Sequence, residues 1–246
     1  MDEAKKSIFI FDDQIGRVDY IDHMGSDLTV VNSARVSFGV QRNELSARDT
    51  RLIGYLIEHK HTSTLEHCSI TFKFTVPLYI RSQHMRHRTW SYNEISRRYT
   101  DKNYQFYSPK EFRTQHKSNR QASNPDEMID PAVYSEQRLG LIPQSFPKAS
   151  SLYAKHCETS LALFEDLINA GVCREQARGV LPQTTYTEYY GTVNLNNLLK
   201  FISLRIHDGA QWEIVQVAKA CLEIARDLYP VSVSAYEERI YGGKIQ

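Results

Sequence analysis

Cysteine is scarce in this chain of 246 residues, and the four present, Cys68, Cys157, Cys173 and Cys221, form no CxxC pair and no His-rich spacing. Neither a zinc site nor a disulfide framework is signalled, so neutral thiols in a reducing cytosol are expected. Long hydrophobic runs are missing too. The apolar stretch inside MDEAKKSIFIFDD is too short for a signal peptide, and no later run approaches a membrane span. The expectation is a soluble cytoplasmic protein with no membrane partner. Net charge is almost absent at +1, so nothing global argues for a nucleic-acid partner and any basic chemistry must be local. No GxGxxG follows a strand, which excludes a Rossmann dinucleotide turn. His61, His67, His84, His87 and His207 match no HExxH or comparable spacing, so no metal site is expected. No repeat or linker divides the chain, and residues 1–246 read as one domain with one sizeable core.

What is present is regular local patterning. Ile8 to Phe11 and Leu28 to Val31 read as short buried strands. Ser46, with Asp49 three residues on, caps a helix carrying Leu52, Ile53, Leu56 and Ile57 at helical spacing. From Ser69 to Val76 the chain alternates strictly, burying Ile70, Phe72, Phe74 and Val76. Pro77 ends that strand and opens a helix that would place Tyr79, Gln83 and Arg86 on one face. Residues 110–147 are polar and aperiodic and read as a surface excursion. A helix follows from about Ser150 to Ala170, closed by Gly171. Another runs from about Asn194 to His207, burying Leu195, Leu198, Leu199 and Ile202 under a polar stripe of Asn196, Lys200, Ser203 and His207. The last helix is expected just after Asp208, with Ile214, Val217, Ala218, Cys221, Ile224, Ala225 and Leu228 inward. Strands in front and long helices behind predict an α+β fold with a mainly antiparallel or mixed sheet.

Chemistry concentrates in one cluster. Arg81, Arg86, Arg88, Arg97 and Arg98 share a short span with His84, His87, Ser91, Asn93, Glu94 and Ser96. Arginine offers a planar fork of donors that suits phosphate and keeps its charge at any working pH. The same residues also suit an ordinary basic turn with ion pairs to Glu94 and Asp101. Composition alone does not choose between the two.

Sequence pattern goes further. Arg86-His87-Arg88, seven residues and then Ser96 resembles the RHR-x7-S signature of flavin-dependent thymidylate synthases. Ser91-Tyr92-Asn93-Glu94-Ile95-Ser96-Arg97-Arg98-Tyr99 extends that likeness, and Gln83 matches a position the family keeps polar. Three more blocks resemble the family in order: His61-Thr62-Ser63-Thr64-Leu65-Glu66-His67, the turn from Arg174 through Arg178 to Pro182, and Leu204-Arg205 followed by Ala210-Gln211-Trp212-Glu213-Ile214.

The resemblance implies a homotetramer with shared active sites that makes dTMP from dUMP. Methylenetetrahydrofolate would supply the carbon and reduced FAD the hydride, with NADPH reducing the flavin. It implies that Gln83, Arg86, Glu94, Ser96, Arg97, Arg98, Arg178 and Arg205 contact dUMP. Arg205 would be the catalytic group, set against the uracil as its N3 loses a proton. His61, Ser63, Arg86, His87, Arg88, Glu94, Asn194, Leu195, Asn196 and Lys200 would face FAD. Two positions depart from the family pattern: Lys200 stands where Asn or His is familiar, and Arg97 where a small residue is common.

No cysteine lies in a basic motif, so the thiolate attack used by other thymidylate synthases is not expected. Ser96 beside arginines reads as a nucleotide ligand rather than a nucleophile. A nucleic-acid module gripping phosphate and stacking bases on Tyr92, Tyr99, Tyr104 and Tyr107 is the competing reading. It leaves the carboxylate of the HTSTLEH block without a purpose. A scaffold that has lost turnover is the third.

Overall fold

The computed structural model describes residues 6–96, 99, 103–133 and 146–243. Its main sheet has five strands in the order β1 (Ser7–Phe9), β2 (Arg17–Met24), β3 (Ser69–Pro77), β7 (Tyr186–Asn194) and β4 (Ser91–Glu94). The β1/β2, β2/β3 and β4/β7 pairs are antiparallel, and with the helices below this is an α+β architecture. Contacts cluster into two units, one of Met1–Thr75, Gln83–Glu94 and Glu188–Gln246, the other of Val76–Ser82 and Ile95–Thr187. Neither unit is a continuous stretch of sequence, which is why no linker composition marks a boundary.

In the first unit, β3 does what its alternation predicts, with Ile70, Phe72 and Phe74 fully buried. Each such side chain contributes about 2–3 kcal/mol on leaving water. Phe74 stacks on Tyr189 at 5.0 Å and lies 6.0 Å from Trp90. The strand opposite must stay bare for this, since a Cβ at Gly191 would fall 2.9 Å from Phe74 Cε2 and 3.2 Å from Trp90 Cε3.

Several features differ from the sequence reading. Leu28 to Val31 is not a strand but part of helix α1 (Asp27–Arg35). A short apolar run has no period of its own, and here the cap decides: Thr29 Oγ1 accepts from the Ser26 N–H at 3.0 Å, the return half of a capping box. Strand β2 escaped detection because a bulge between Tyr20 and Asp22 breaks its alternation. Helix α2 (Ala47–Glu58) starts at Ser46 as expected, and Asp49 also ion-pairs with Arg35. A final helix, α8 (Pro230–Tyr241), packs on α2 and was not anticipated. Its N-terminal amides are held by Asp27, more than two hundred residues away, which no local pattern reveals.

Helix α6 (Leu195–Arg205) begins where expected, with Asn194 Oδ1 accepting from the Asn197 N–H at 2.9 Å. Helix α7 (Trp212–Leu228) starts three residues later than predicted, with Gln211 as its cap. The intervening residues form a turn, in which Ala210 N–H donates to His207 O at 3.0 Å and Gly209 N–H to His207 Nδ1 at 3.0 Å.

In the second unit, α4 (Ala149–Asn169) closes on Gly171 at φ +89, as glycine allows. Short α5 (Arg174–Ala177) follows. The stretch read as an aperiodic excursion contains its own antiparallel pair, β5 (Phe112–Gln115) and β6 (Ser123–Ile129), with a register shift at Arg113/Thr114 that hides its period. Residues 134–145 of that stretch lie outside the described residues. No described helix is long and apolar enough to cross a membrane.

Candidate active site

The RHR block is laid out by turns rather than by helix. Helix α3 (Leu78–His84) stops at His84, so Arg86 does not share a helical face with Tyr79 and Gln83 as predicted. Instead Arg86 N–H donates to Gln83 O at 3.3 Å, His87 N–H to His84 O at 2.9 Å and Trp90 N–H to His87 O at 3.3 Å. Buried His84 and Trp90 anchor the two ends of this winding segment. Arg86 and Arg88 therefore point to solvent, while His87 between them turns inward and is half-buried.

His84 sits in an aromatic cage, its ring centroid 4.8 Å from Phe74, 4.6 Å from Trp90, 5.4 Å from Tyr92 and 4.8 Å from Phe201. Its Nδ1 meets Tyr189 Oη at 2.8 Å. Tyr92 on β4 donates its hydroxyl to His84 O at 3.0 Å and to His87 O at 3.2 Å, tying both backbones to the sheet. Arg205, at the end of α6, donates Nε–H to His87 Nε2 at 3.0 Å. That bond requires a lone pair on Nε2, so His87 carries its hydrogen on Nδ1. Burial, and then the charge of Arg205, push the His87 pKa down to about 4. Burial first, then His87 and Arg205, hold His84 well below the ordinary histidine range. Burial also pulls Arg205 below its ordinary value of 12.5, yet a guanidinium stays charged at working pH.

Two neutral imidazoles in the folded state make stability depend on acid. The unfolded chain binds protons at these positions below about pH 6.5, where the folded chain refuses them. The stabilisation is thus whole above that pH and is lost as pH falls from about 6.5 through about 4. Asp49, lowered to about 2 chiefly by the Ser46 hydroxyl and helped by Arg35, adds a separate loss below its ordinary 3.8. Melting temperature should therefore fall from pH 6.5 to 4 and fall again below it. A flat profile across the upper window would contradict neutral, buried His84 and His87.

The HTSTLEH block packs against α6. Lys60 adopts a left-handed φ of 58 that ends α2 and turns His61 out, where its ring stacks 6.0 Å from Tyr55. The 3-10 turn Thr62–His67 then brings Glu66 Oε1 to accept from Asn196 Nδ2 at 2.8 Å. Asn196 is only 4% exposed, so the expected polar stripe is not uniform. Lys200 and Ser203 face solvent, and exposed His207 lies beyond the helix. The Leu195 side chain is wholly in the core and its N–H donates to Cys68 O at 2.8 Å. His61 and Ser63 are exposed on the turn beside α6.

Arg86, Arg88 and Lys200 form no ion pair among the described residues. The Gln83 amide oxygen is buried and has no hydrogen-bond partner among the described residues. Unneutralised cations and an orphaned acceptor suit a phosphorylated heterocyclic ligand. Glu94 and Asn93 lie on β4, opposite Tyr189 and Tyr190 of β7. In the second unit, Ser96 O accepts from the Tyr99 N–H at 3.1 Å and Arg178 opens the exposed 3-10 turn Arg178–Val180. Arg97 and Arg98 lie outside the described residues.

Neither Cys68 nor Cys221 is poised as a nucleophile. Burial, with Asp27 next, raises Cys68 to about 11, and burial raises Cys221 further. Cys157 is buried and Cys173 caps α5. The residues missed in sequence are those that brace rather than bind: Tyr92, Tyr189, Phe201 and Glu66. Tyr92 and Glu66 had a signal, each as part of a recognisable block.

The α+β frame thus combines exposed cations without ion pairs among the described residues and a guanidinium braced by His87, a set of groups suited to a phosphorylated ligand. Residues 19–231 match the family described as thymidylate synthase complementing protein. A flavin-dependent thymidylate synthase of Thermus thermophilus is 39% identical over 228 residues, covering 93% of this chain and 78% of the relative. One from Thermotoga neapolitana is 36% identical over 234 residues, covering 94% of each chain. The solved UMP/dUMP methylase PolB from Streptomyces cacaoi, bound with 5-Br dUMP, superimposes with a TM-score of 0.73 at 30% identity, covering 89% of this chain and 93% of its own. The chain belongs to the flavin-dependent thymidylate synthase family.

Proposed function

We propose that this protein makes dTMP from dUMP by reductive methylation, with methylenetetrahydrofolate as carbon donor and no enzyme nucleophile. The observation that carries the reading is Arg205, a half-buried cation held by a neutral imidazole whose sequence neighbours Arg86 and Arg88 form no ion pair among the described residues. Gln83, Arg86, Glu94, Ser96, Arg97, Arg98 and Arg178 bind dUMP, and Arg205 stabilises the negative charge that grows as uracil N3 loses its proton. Polarisation of the ring in this way replaces the covalent thiolate adduct, for which buried Cys68 and Cys221 are unsuited.

Exposed Arg86, Arg88 and Lys200 have the charge to hold a diphosphate, and His61, Ser63, His87, Glu94, Asn194, Leu195 and Asn196 complete the FAD-facing set. The chemistry FAD supplies when bound is a hydride, after reduction by NADPH. Glu66 keeps Asn196 oriented for that set.

The active unit is a homotetramer whose sites draw on more than one copy. Supporting this, Val36 and Phe38 are 71% and 82% exposed on one short turn, apolar surface that a second chain would cover. The enzyme acts in the cytoplasm on small molecules rather than nucleic acid, with residues 1–246 as one functional domain.

Purified protein should be yellow with FAD and, under anaerobic conditions with dUMP, methylenetetrahydrofolate and NADPH, should form dTMP. A parallel reaction with UMP tests the sugar. Failure to form dTMP, or undiminished formation in both Arg88→Ala and Arg205→Ala, overturns the reading.

A further inference from the structure

The His87 ring has a role that flavin contact does not account for. Its Nε2 is already committed, as acceptor of the Arg205 Nε–H at 3.0 Å, and its backbone N–H and carbonyl are paired within the turn, so only Nδ1–H remains to face a cofactor. Its carbonyl is held by the Tyr92 hydroxyl at 3.2 Å, and the ring stands edge-on to Phe201 at 4.8 Å and to His84 at 6.2 Å. Phe201 and Arg205 are one helical turn apart on α6, so the surface supporting the ring and the group it holds belong to the same helix.

We propose that His87 is a positioning residue for Arg205: its Nε2 lone pair accepts the guanidinium Nε–H and fixes the plane in which the two terminal nitrogens are presented to substrate. The inference rests on the reading of Arg205 as the uracil-facing cation. A guanidinium is planar, so fixing Nε–H fixes the direction of the terminal N–H groups with it. Among the described residues those terminal groups have no other hydrogen-bond partner, so this one bond sets their direction. The aromatic cage serves the same end. A protonated imidazole would offer hydrogen in place of a lone pair and repel the arginine, and burial prevents that at working pH. Tyr92, whose phenol burial pushes upward, remains a donor to the His84 and His87 carbonyls and keeps the ring from swinging.

The test separates the acceptor from the bulk of the ring. In His87→Gln the amide oxygen reaches about as far as Nε2, whereas His87→Phe fills the space with no acceptor. Single-turnover dTMP formation in the FAD-loaded enzyme should fall about 30- to 100-fold in the Phe variant, the scale of a misplaced catalytic group, and within about threefold in the Gln variant. In an Arg205→Lys background, which has no Nε–H, His87→Phe should add no further loss. The second readout needs no turnover. In 15N spectra the Arg205 Nε–H, identified by its absence from Arg205→Lys, should exchange slowly in the parent and in His87→Gln and rapidly in His87→Phe. If the Phe variant does not fold, His87→Leu provides the acceptor-free arm. Equal losses for Gln and the acceptor-free variant, multiplying losses in the double variant, or a slowly exchanging Nε–H without an acceptor overturn the proposal. A parent with a protected Nε–H that makes no dTMP instead overturns the proposed function and leaves the brace standing.

Discussion

Replacing Arg205 by alanine should slow dTMP formation by about 10²- to 10³-fold, the loss typical of removing one preorganised donor to a developing anion. The loss should fall on kcat more than on KM, because uracil N3 is neutral in the ground state and the charge Arg205 meets exists only as reaction proceeds. Position makes this cation effective. It lies at the C-terminal end of α6, half-buried, with Nε–H spent on His87 and its terminal nitrogens left for substrate. A solvent-exposed arginine would be screened and mobile, and its loss would cost far less. Retention of FAD, read from its absorbance, should be unaffected, since Arg205 is placed against the nucleotide. A kcat within threefold of the parent would remove Arg205 from its catalytic role.

The largest effect on stability should come from Asp27→Ala. Asp27 is buried and accepts three hydrogen bonds, from Val231 N–H at 2.9 Å, Ser232 N–H at 2.9 Å and Ser232 Oγ at 2.5 Å. A carboxylate at the start of α8 meets both the unpaired amides and the positive end of the helix dipole. Alanine leaves those donors buried and unmet, at a cost of about 3–4 kcal/mol. Asp27→Asn keeps one accepting oxygen and should cost about half as much. The effect reaches the active site, because the Tyr236 hydroxyl of α8 donates to Leu199 O on α6 at 2.9 Å, one and a half turns ahead of Arg205. Urea unfolding midpoints give the measurement, and an alanine penalty under 1 kcal/mol would show that α8 is held elsewhere.

Much of the candidate site was legible because it is written in contiguous blocks. RHR-x7-S, HTSTLEH and the L-R of α6 each name their residues without knowledge of what they touch, and the helix carrying the last of them was placed from apolar spacing. Legibility failed where a local signal was ambiguous or broken. Leu28 to Val31 has too few residues to show a period, and a cap three residues long settled it as helix. Bulges in β2 and register shifts in the β5/β6 pair erased alternation that a regular strand would have kept. Arg86 was assigned to a helical face because spacing alone does not show that α3 ends at His84.

The sequence by itself determined the chemical inventory: clustered arginines on a near-neutral chain, cysteines outside any basic motif, and blocks whose order marks the family. These are properties of residue type and spacing along the chain. Only the tertiary structure decided how the inventory is used. It turned Asn196 inward onto Glu66, buried the Leu195 side chain, drew His87 away from its two exposed neighbours and set it under Arg205, 118 residues along. The physical reason is the same in each case: hydrogen bonds and burial that join distant segments have no period and no local signature, so they exist only once the chain has packed.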